Sequence, residues 1–147
     1  MREILFRGIK CDLRNNHFTK DKWAFGSLQN WGNNECSILS TANKKGESTC
    51  YYIDPETVGQ YTGLTDKNGT KIFEGDIIKF CRGLKKAYFV EFDSGRFVLT
   101  RKDAHCELFE ISICPCEVIG NIYDNPELSE VKTNDKIEEL PLLSTHP

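Results

Sequence analysis

The metal-ligand types in this chain are densest at His105-Cys106 and Cys114-Pro115-Cys116. Four such side chains suit zinc, but structural zinc sites offer two Cys-x2–4-Cys knuckles, and here there is one Cys-x-Cys and one adjacent pair. In an extended chain Cys114 and Cys116 fall on one face and serve equally well as small buried hydrophobes. No metal site is assigned. Asp66, Glu74 and Asp76 could group as carboxylates, yet acid–base chemistry needs a further partner and a cleft. Each stands where turn chemistry wants an acid. His17, His105 and His146 have no evident nucleophile to serve, and neither Gly-x-Gly-x-x-Gly nor a Gly-Lys-Ser/Thr phosphate loop occurs. The sequence predicts no catalytic residue, no cofactor and no enzyme.

One basic cluster stands out: Lys79, Arg82, Lys85 and Lys86, with Phe80, Tyr88 and Phe89 close by. Cations beside aromatics are what a single nucleic-acid strand meets. Charge balance speaks against it. The chain has 19 Lys and Arg against 22 Asp and Glu. The stretch from Asp124 to Pro147 alone holds six acids and two lysines, which leaves the body near neutral. A near-neutral body does not attract a phosphate backbone. Trp31, beside Gly32 in a turn, is hard to bury; it either marks a protein contact or folds back over the edge of the sheet.

The elements that must position these groups are strands. Of 147 residues, 39% are hydrophobic and 28% charged, the balance of a soluble globular chain. Apolar residues come in short aromatic and β-branched runs separated by Gly, Asn, Asp and Pro. Strands are predicted at Glu3–Arg7, Trp23–Leu28, Cys36–Ser40, Thr49–Ile53, Ile72–Phe73, Ile77–Phe80, Ala87–Phe92, Phe97–Thr100 and Val118–Tyr123, and more weakly at Leu108–Ile113. Trp23 and Phe25 are expected on the core face. Asp93-Ser94-Gly95 and Asp66-Lys67-Asn68-Gly69 read as hairpin turns. Polar segments at Arg14–Lys22, Asn30–Asn34 and Ala42–Glu47 read as loops, and Asp54-Pro55 as a break. Asn125-Pro126-Glu127 reads as a helix start: a capping Asn, Pro first, an acid in the first turn. The odd count of seven cysteines, with no apolar leader at the N-terminus, leads us to expect reduced thiols in a cytoplasm.

With those residues laid out, the chain resembles the YopX family of phage- and prophage-encoded proteins. The resemblance rests on Ile4-Leu5-Phe6-Arg7-Gly8 and Trp23-Ala24-Phe25-Gly26-Ser27-Leu28. It is most specific in the block from Ile53-Asp54-Pro55 through Gly59-Gln60-Tyr61-Thr62-Gly63-Leu64 to Ile72-Phe73-Glu74-Gly75-Asp76-Ile77-Ile78. It closes with Cys116-Glu117-Val118-Ile119-Gly120-Asn121-Ile122-Tyr123-Asp124-Asn125-Pro126-Glu127-Leu128. It implies a mostly β protein of a mobile element, acting in a bacterial cytoplasm, and it brings no catalytic residues with it.

The expectation is a mainly β chain: an N-terminal antiparallel sheet region (residues 1–59), a small SH3-like β-barrel region (60–128) with a short C-terminal helix, and an acidic tail (129–147). Its expected role is a non-catalytic module that binds an unidentified phage or host protein, or itself, and no membrane. Gln60, Tyr61, Asp66, Glu74 and Asp76 are the nominated binding residues. The alternative is nucleic-acid binding through Lys79, Arg82, Lys85 and Lys86.

Overall fold

The computed structural model describes residues 1–11, 22–82, 87–101, 104–108 and 110–129. Strands dominate: β1 (Phe6–Ile9), β2 (Trp23–Gly32), β3 (Glu35–Ser40), β4 (Cys50–Ile53), β5 (Gly59–Thr65), β6 (Lys71–Phe73), β7 (Asp76–Phe80), β8 (Ala87–Asp93), β9 (Arg96–Arg101), β10 (Ala104–Glu107) and β11 (Cys116–Asn121). Three short helical pieces punctuate them: a 3-10 turn at Pro55–Thr57, α1 (Glu110–Ile113) and α2 (Pro126–Ser129). Among the described residues no helix is long and apolar enough to cross a membrane. The chain divides into two compact units, Met1–Gly63 and Leu64–Pro147.

In the first unit the strands lie antiparallel in the order β4-β3-β2-β1-β5. The β2–β3 hairpin is tight because Asn33 and Asn34 both take positive φ, 51° and 60°, the pair of left-handed residues that a primed two-residue turn demands. Gly26 is required by space: a Cβ there would lie 1.9 Å from the Leu39 carbonyl oxygen. At one corner the sheet curls. Lys10 bridges Ile53, the Cys11 N–H donates to the Tyr52 carbonyl at 2.8 Å, and the Asp54 N–H donates to the Ile9 carbonyl at 2.9 Å. The curl wraps a small core of Ala24, Cys36, Ile38 and Ile53, with Phe6, Leu28, Tyr51 and Val58 against it. Burial raises the Cys36 thiol pKa, with the Asp54 carboxylate adding to it.

One expectation here is reversed. Trp23 and Phe25 share a face, but it points away from this core; Ala24 is the buried neighbour and Phe25 is exposed. Ser27 and Gln29 alternate in phase with Trp23 and Phe25, and their polarity keeps that whole face outside.

The second unit opens with the hairpin formed by the end of β5 and β6. It continues as a meander, β7-β8-β9-β10, to which β11 returns beside β7. The Ser94-Gly95 turn joins β8 to β9 with φ of 51° and 80°. Both faces of this sheet are buried near its centre, as the apolar character of both faces of Ala87–Phe92 predicts. One face carries Ile72, Ile78, Phe80, Tyr88, Val90, Leu99, Ile111 and Cys116. The other carries Ile77, Ala87 and Phe89, packed by Ile119, Ile122 and Leu128 of the closing segment. The expected closed barrel does not form among the described residues: β10 and β11 are the two edges of an open five-stranded sheet.

One further expectation changes. Leu108–Ile113 is no strand; it holds the helical turn α1, in which the Ile111 N–H reaches the Leu108 carbonyl at 3.1 Å and the Cys114 N–H reaches that of Glu110 at 2.9 Å. Ile111 thereby drops into the core, and the strand there, β10, lies just upstream. The helix after Asn125 forms at Pro126, as expected, and the Asn125 Oδ1 accepts from the Asn121 N–H at 3.3 Å. The Arg14–Lys22 loop lies outside the described residues except for Lys22, and the acidic tail from residue 130 lies wholly outside them.

Candidate functional site

Asp66 closes the β5–β6 turn. Its Oδ1 accepts the N–H groups of Asn68 and Thr70 at 2.8 and 3.0 Å, and its Oδ2 accepts the N–H of Val118 on β11 at 3.0 Å. The carboxylate is buried and ties three main-chain donors, one of them 52 residues away. A carboxylate so engaged is a staple, and its lone pairs are committed to backbone. Asp76 does related work at the head of β7, accepting the Phe73 N–H at 2.7 Å across the β6–β7 turn. Glu74 lies half-buried in that same turn. Its neighbour Gly75 donates to the Val90 carbonyl at 2.8 Å and accepts from Ile122 at 3.0 Å. Gln60 pairs with Phe6 on β1, and the N–H of buried Tyr61 donates to the Leu5 carbonyl at 2.8 Å. Among the nominated residues, then, Asp66, Glu74 and Asp76 fall at the two turns that open the second unit, while Gln60 and Tyr61 belong to the sheet of the first.

The turn bearing Glu74 also edges a shallow cleft of about 220 Å3 lined by Gly75, Phe89, Val90, Glu91, Phe92 and Ile122. Phe92 is exposed at its rim, its ring set edge-on against Phe97 with centroids 5.1 Å apart.

Among the described residues no three His, Cys, Asp or Glu side chains gather closely enough to hold an ion. Cys116 is part of the core and Cys114 packs against it. The Cys116 thiol is pushed up to about 12, first by burial and then by the nearby Asp66 carboxylate and the thiols of Cys81 and Cys114. His105 faces the Thr100 hydroxyl, with 3.5 Å between Nδ1 and Oγ1.

Of the basic cluster, two members are described. Lys79 is buried in β7, directly opposite Glu117 on β11, whereas Arg82 is exposed. Lys85 and Lys86 lie outside the described residues.

What the sequence reading missed is the outward face of the first sheet. Register places Ser27 beside Leu39, Gln29 beside Ser37, Ser37 beside Tyr52, Leu39 beside Cys50 and Phe25 beside Arg7. Trp31 folds onto the same face: its Nε1–H donates to the Ser37 hydroxyl at 2.9 Å, and that hydroxyl donates to Gln29 Oε1 at 3.2 Å. The Arg7 guanidinium lies 4.6 Å from the Trp23 ring centre and is buried. Phe25, Trp31, Leu39 and Tyr52 remain 45%, 60%, 37% and 53% exposed. Only Trp31 had been singled out. The polar residues in phase with Phe25 were the signal available in the sequence.

A family model described as YopX protein matches residues 6–130, most of the chain. The chain belongs to the YopX family. Within the match lie both stapled turns, the outward aromatic face and the closing helix of this YopX chain. A search of the curated proteins returns no match. Among solved structures, a crystal structure of protein EF1440 from Enterococcus faecalis is similar, with 25% sequence identity and a TM-score of 0.51, over 87% of this chain and 99% of that one. The YopX match and the EF1440 likeness thus extend across both units.

Proposed function

We propose that this YopX protein is a non-catalytic binding module of phage or prophage origin, acting in the cytoplasm of a bacterial host, and that its contacts are made with protein. One observation carries this reading: on the outward face of the first sheet Phe25, Trp31, Leu39 and Tyr52 keep a large solvent exposure beside the neutral side chains of Ser27, Gln29 and Cys50. Aromatic enrichment with depleted charge is the composition of interface centres. The nominated acids fit the same reading from the other side. Asp66 and Asp76 hold turns through main-chain donors, which argues for folding duty and against acid–base work. Nucleic-acid binding through the basic cluster is the weaker reading, because Lys79 is buried. We read the second unit as an opened relative of the SH3-like barrel. Its four-strand meander, helical turn and returning fifth strand beside the first have that order.

The test is co-purification from prophage-induced cells, with nuclease treatment and with Tyr52→Lys as the matched control. Nuclease-resistant protein held by the wild type and lost from the variant supports the proposal. Retention of nucleic acid that weakens steeply with salt, and of no protein, would overturn it.

A further inference from the structure

We propose that Asn68-Gly69, in the turn between β5 and β6, is a site of spontaneous deamidation that the closed turn holds shut, and that the product of the reaction releases the turn's grip on β11.

This is the only Asn-Gly step in the chain. Glycine has no side chain to shield its main-chain nitrogen, so ring closure onto a preceding Asn is least hindered here. The Gly69 nitrogen gives its proton to solvent base and attacks Asn68 Cγ. A new C–N bond closes a five-membered succinimide, the Cγ–Nδ2 bond breaks, and ammonia leaves after taking up a proton. Water then opens the ring at one of its two carbonyls, which leaves aspartate or isoaspartate at position 68. Water is the sole co-reactant, and nothing is oxidised or reduced. Both residues are exposed, so base and water reach them.

The closed turn opposes the attack. The Gly69 N–H donates to the Asp66 carbonyl at 3.1 Å, which engages the proton that must leave. Asp66 Oδ1 accepts the Asn68 and Thr70 N–H groups at 2.8 and 3.0 Å and so fixes the main chain on both sides of Gly69. Asn68 Nδ2 donates to Glu117 Oε1 on β11 at 3.4 Å, which tethers the group under attack. Reaction therefore waits on local opening, and its rate reports how often the turn opens.

The product does not fit the closed turn. A carboxylate at position 68 replaces the donor facing Glu117 with a like charge. Lys67 Nζ, 3.8 Å from Glu117 Oε2, is already engaged by that acid. Isoaspartate also adds a carbon to the main chain between the N–H groups of residues 68 and 70, which then no longer converge on one Asp66 oxygen. The same turn covers the outer side of β11, an edge strand. There the Val118 N–H donates to Asp66 Oδ2 and the Lys67 N–H donates to the Cys116 carbonyl, each at 3.0 Å. A turn that cannot close leaves those strand groups open to another chain.

Ageing the full chain in mildly alkaline buffer, with and without urea, tests this. Peptide mass spectrometry locates the conversion, and methylation by an isoaspartyl methyltransferase detects isoaspartate. Conversion at residue 68 is expected in urea, at least about tenfold slower in the folded chain, and abolished in Asn68→Gln. Asn43, equally exposed but followed by Lys44, is the internal control and stays intact. In the aged isoform, separated by ion exchange, amide exchange at Val118 should quicken by about threefold or more, and Asn68→Asp should move it in the same direction. No conversion at residue 68 in urea overturns the site. Equal rates with and without urea overturn the closed turn's part in it. Unchanged Val118 exchange in the aged isoform overturns the release of β11.

Discussion

Replacing Asp66 isolates the contribution of a single carboxylate, because its three bonds differ in what each deletion leaves behind. In Asp66→Ala, the N–H groups of Asn68, Thr70 and Val118 all lose their acceptor. Hydrogen bonds to an ionised group contribute about 1.5–3 kcal/mol each, so full loss would be about 4.5–9 kcal/mol. Asn68 and Thr70 are exposed and recover water, while Val118 on β11 is half-buried. The expected cost is therefore about 3 kcal/mol, below that sum because two of the three donors recover water. Asp66→Asn separates the bonds. Its remaining oxygen can hold the turn donors, but its amide N–H2 then faces the Val118 N–H, donor against donor. About half the loss, near 1.5 kcal/mol, is expected for this variant. Urea unfolding followed by far-ultraviolet circular dichroism gives the stabilities, and amide exchange at Asn68, Thr70 and Val118 gives the local pattern. Faster exchange at Val118 in both variants, and at the turn amides only in Asp66→Ala, is the expected signature. A loss below about 0.5 kcal/mol in Asp66→Ala, the level of an ordinary surface substitution, would refute the staple. So would unchanged Val118 protection.

Gly26→Ala would place a methyl 1.9 Å from the Leu39 carbonyl oxygen; β2 and β3 must separate there, with an expected loss of about 3 kcal/mol or more by thermal unfolding. Ser94 sits at φ 51° beside Gly95, so Ser94→Asn, the residue favoured at that turn position, should raise stability by about 0.5–1 kcal/mol in the same assay. Because the Cys116 thiol is raised to about 12 in the folded chain from an ordinary 9.0, its contribution to stability is intact below pH 9 and is lost as pH climbs from there toward 12, when the unfolded chain ionises first. Stability measured with Cys116→Ala in parallel should show a shallower alkaline decline, and in the native wild type exposed Cys11 and Cys50 should react with a thiol reagent well before Cys116.

Most strands were legible because their signals are local. Asn-Gly and Ser-Gly steps, Asp-Pro breaks and short β-branched runs require no knowledge of distant chain. The failures share a different cause. Strand periodicity tells which residues lie together on a face and leaves open which face is inside. Trp23 and Phe25 were expected inside on hydrophobicity, yet Ser27 and Gln29 travel with them and small Ala24 and Gly26 fit the crowded interior. Leu108–Ile113 is too short for its apolar content to distinguish strand from helix. Lys79 looks like a solvated cation until β11 brings Glu117 opposite it. The candidate site divides along the same line. The turn role of Asp66 was readable from its neighbours, but its bond to Val118 spans 52 residues and exists only once β11 has returned beside β7. Of the outward face, the sequence offered Trp31; Tyr52 and Leu39 join it only through cross-strand register.

Both tryptophans of the chain, Trp23 and Trp31, fall between Met1 and Gly63. Indole emission is accordingly a private optical channel for one half of the molecule. Its two chromophores are also distinguishable: one ring is overlaid by a guanidinium, while the other stands largely in solvent and should yield first to a dissolved quencher. The other half, whose larger chromophores are Tyr88 and Tyr123, stays dark under indole-selective light. A titrant that shifts the indole band has reached the N-terminal strands; one that shifts only the amide band has reached the rest.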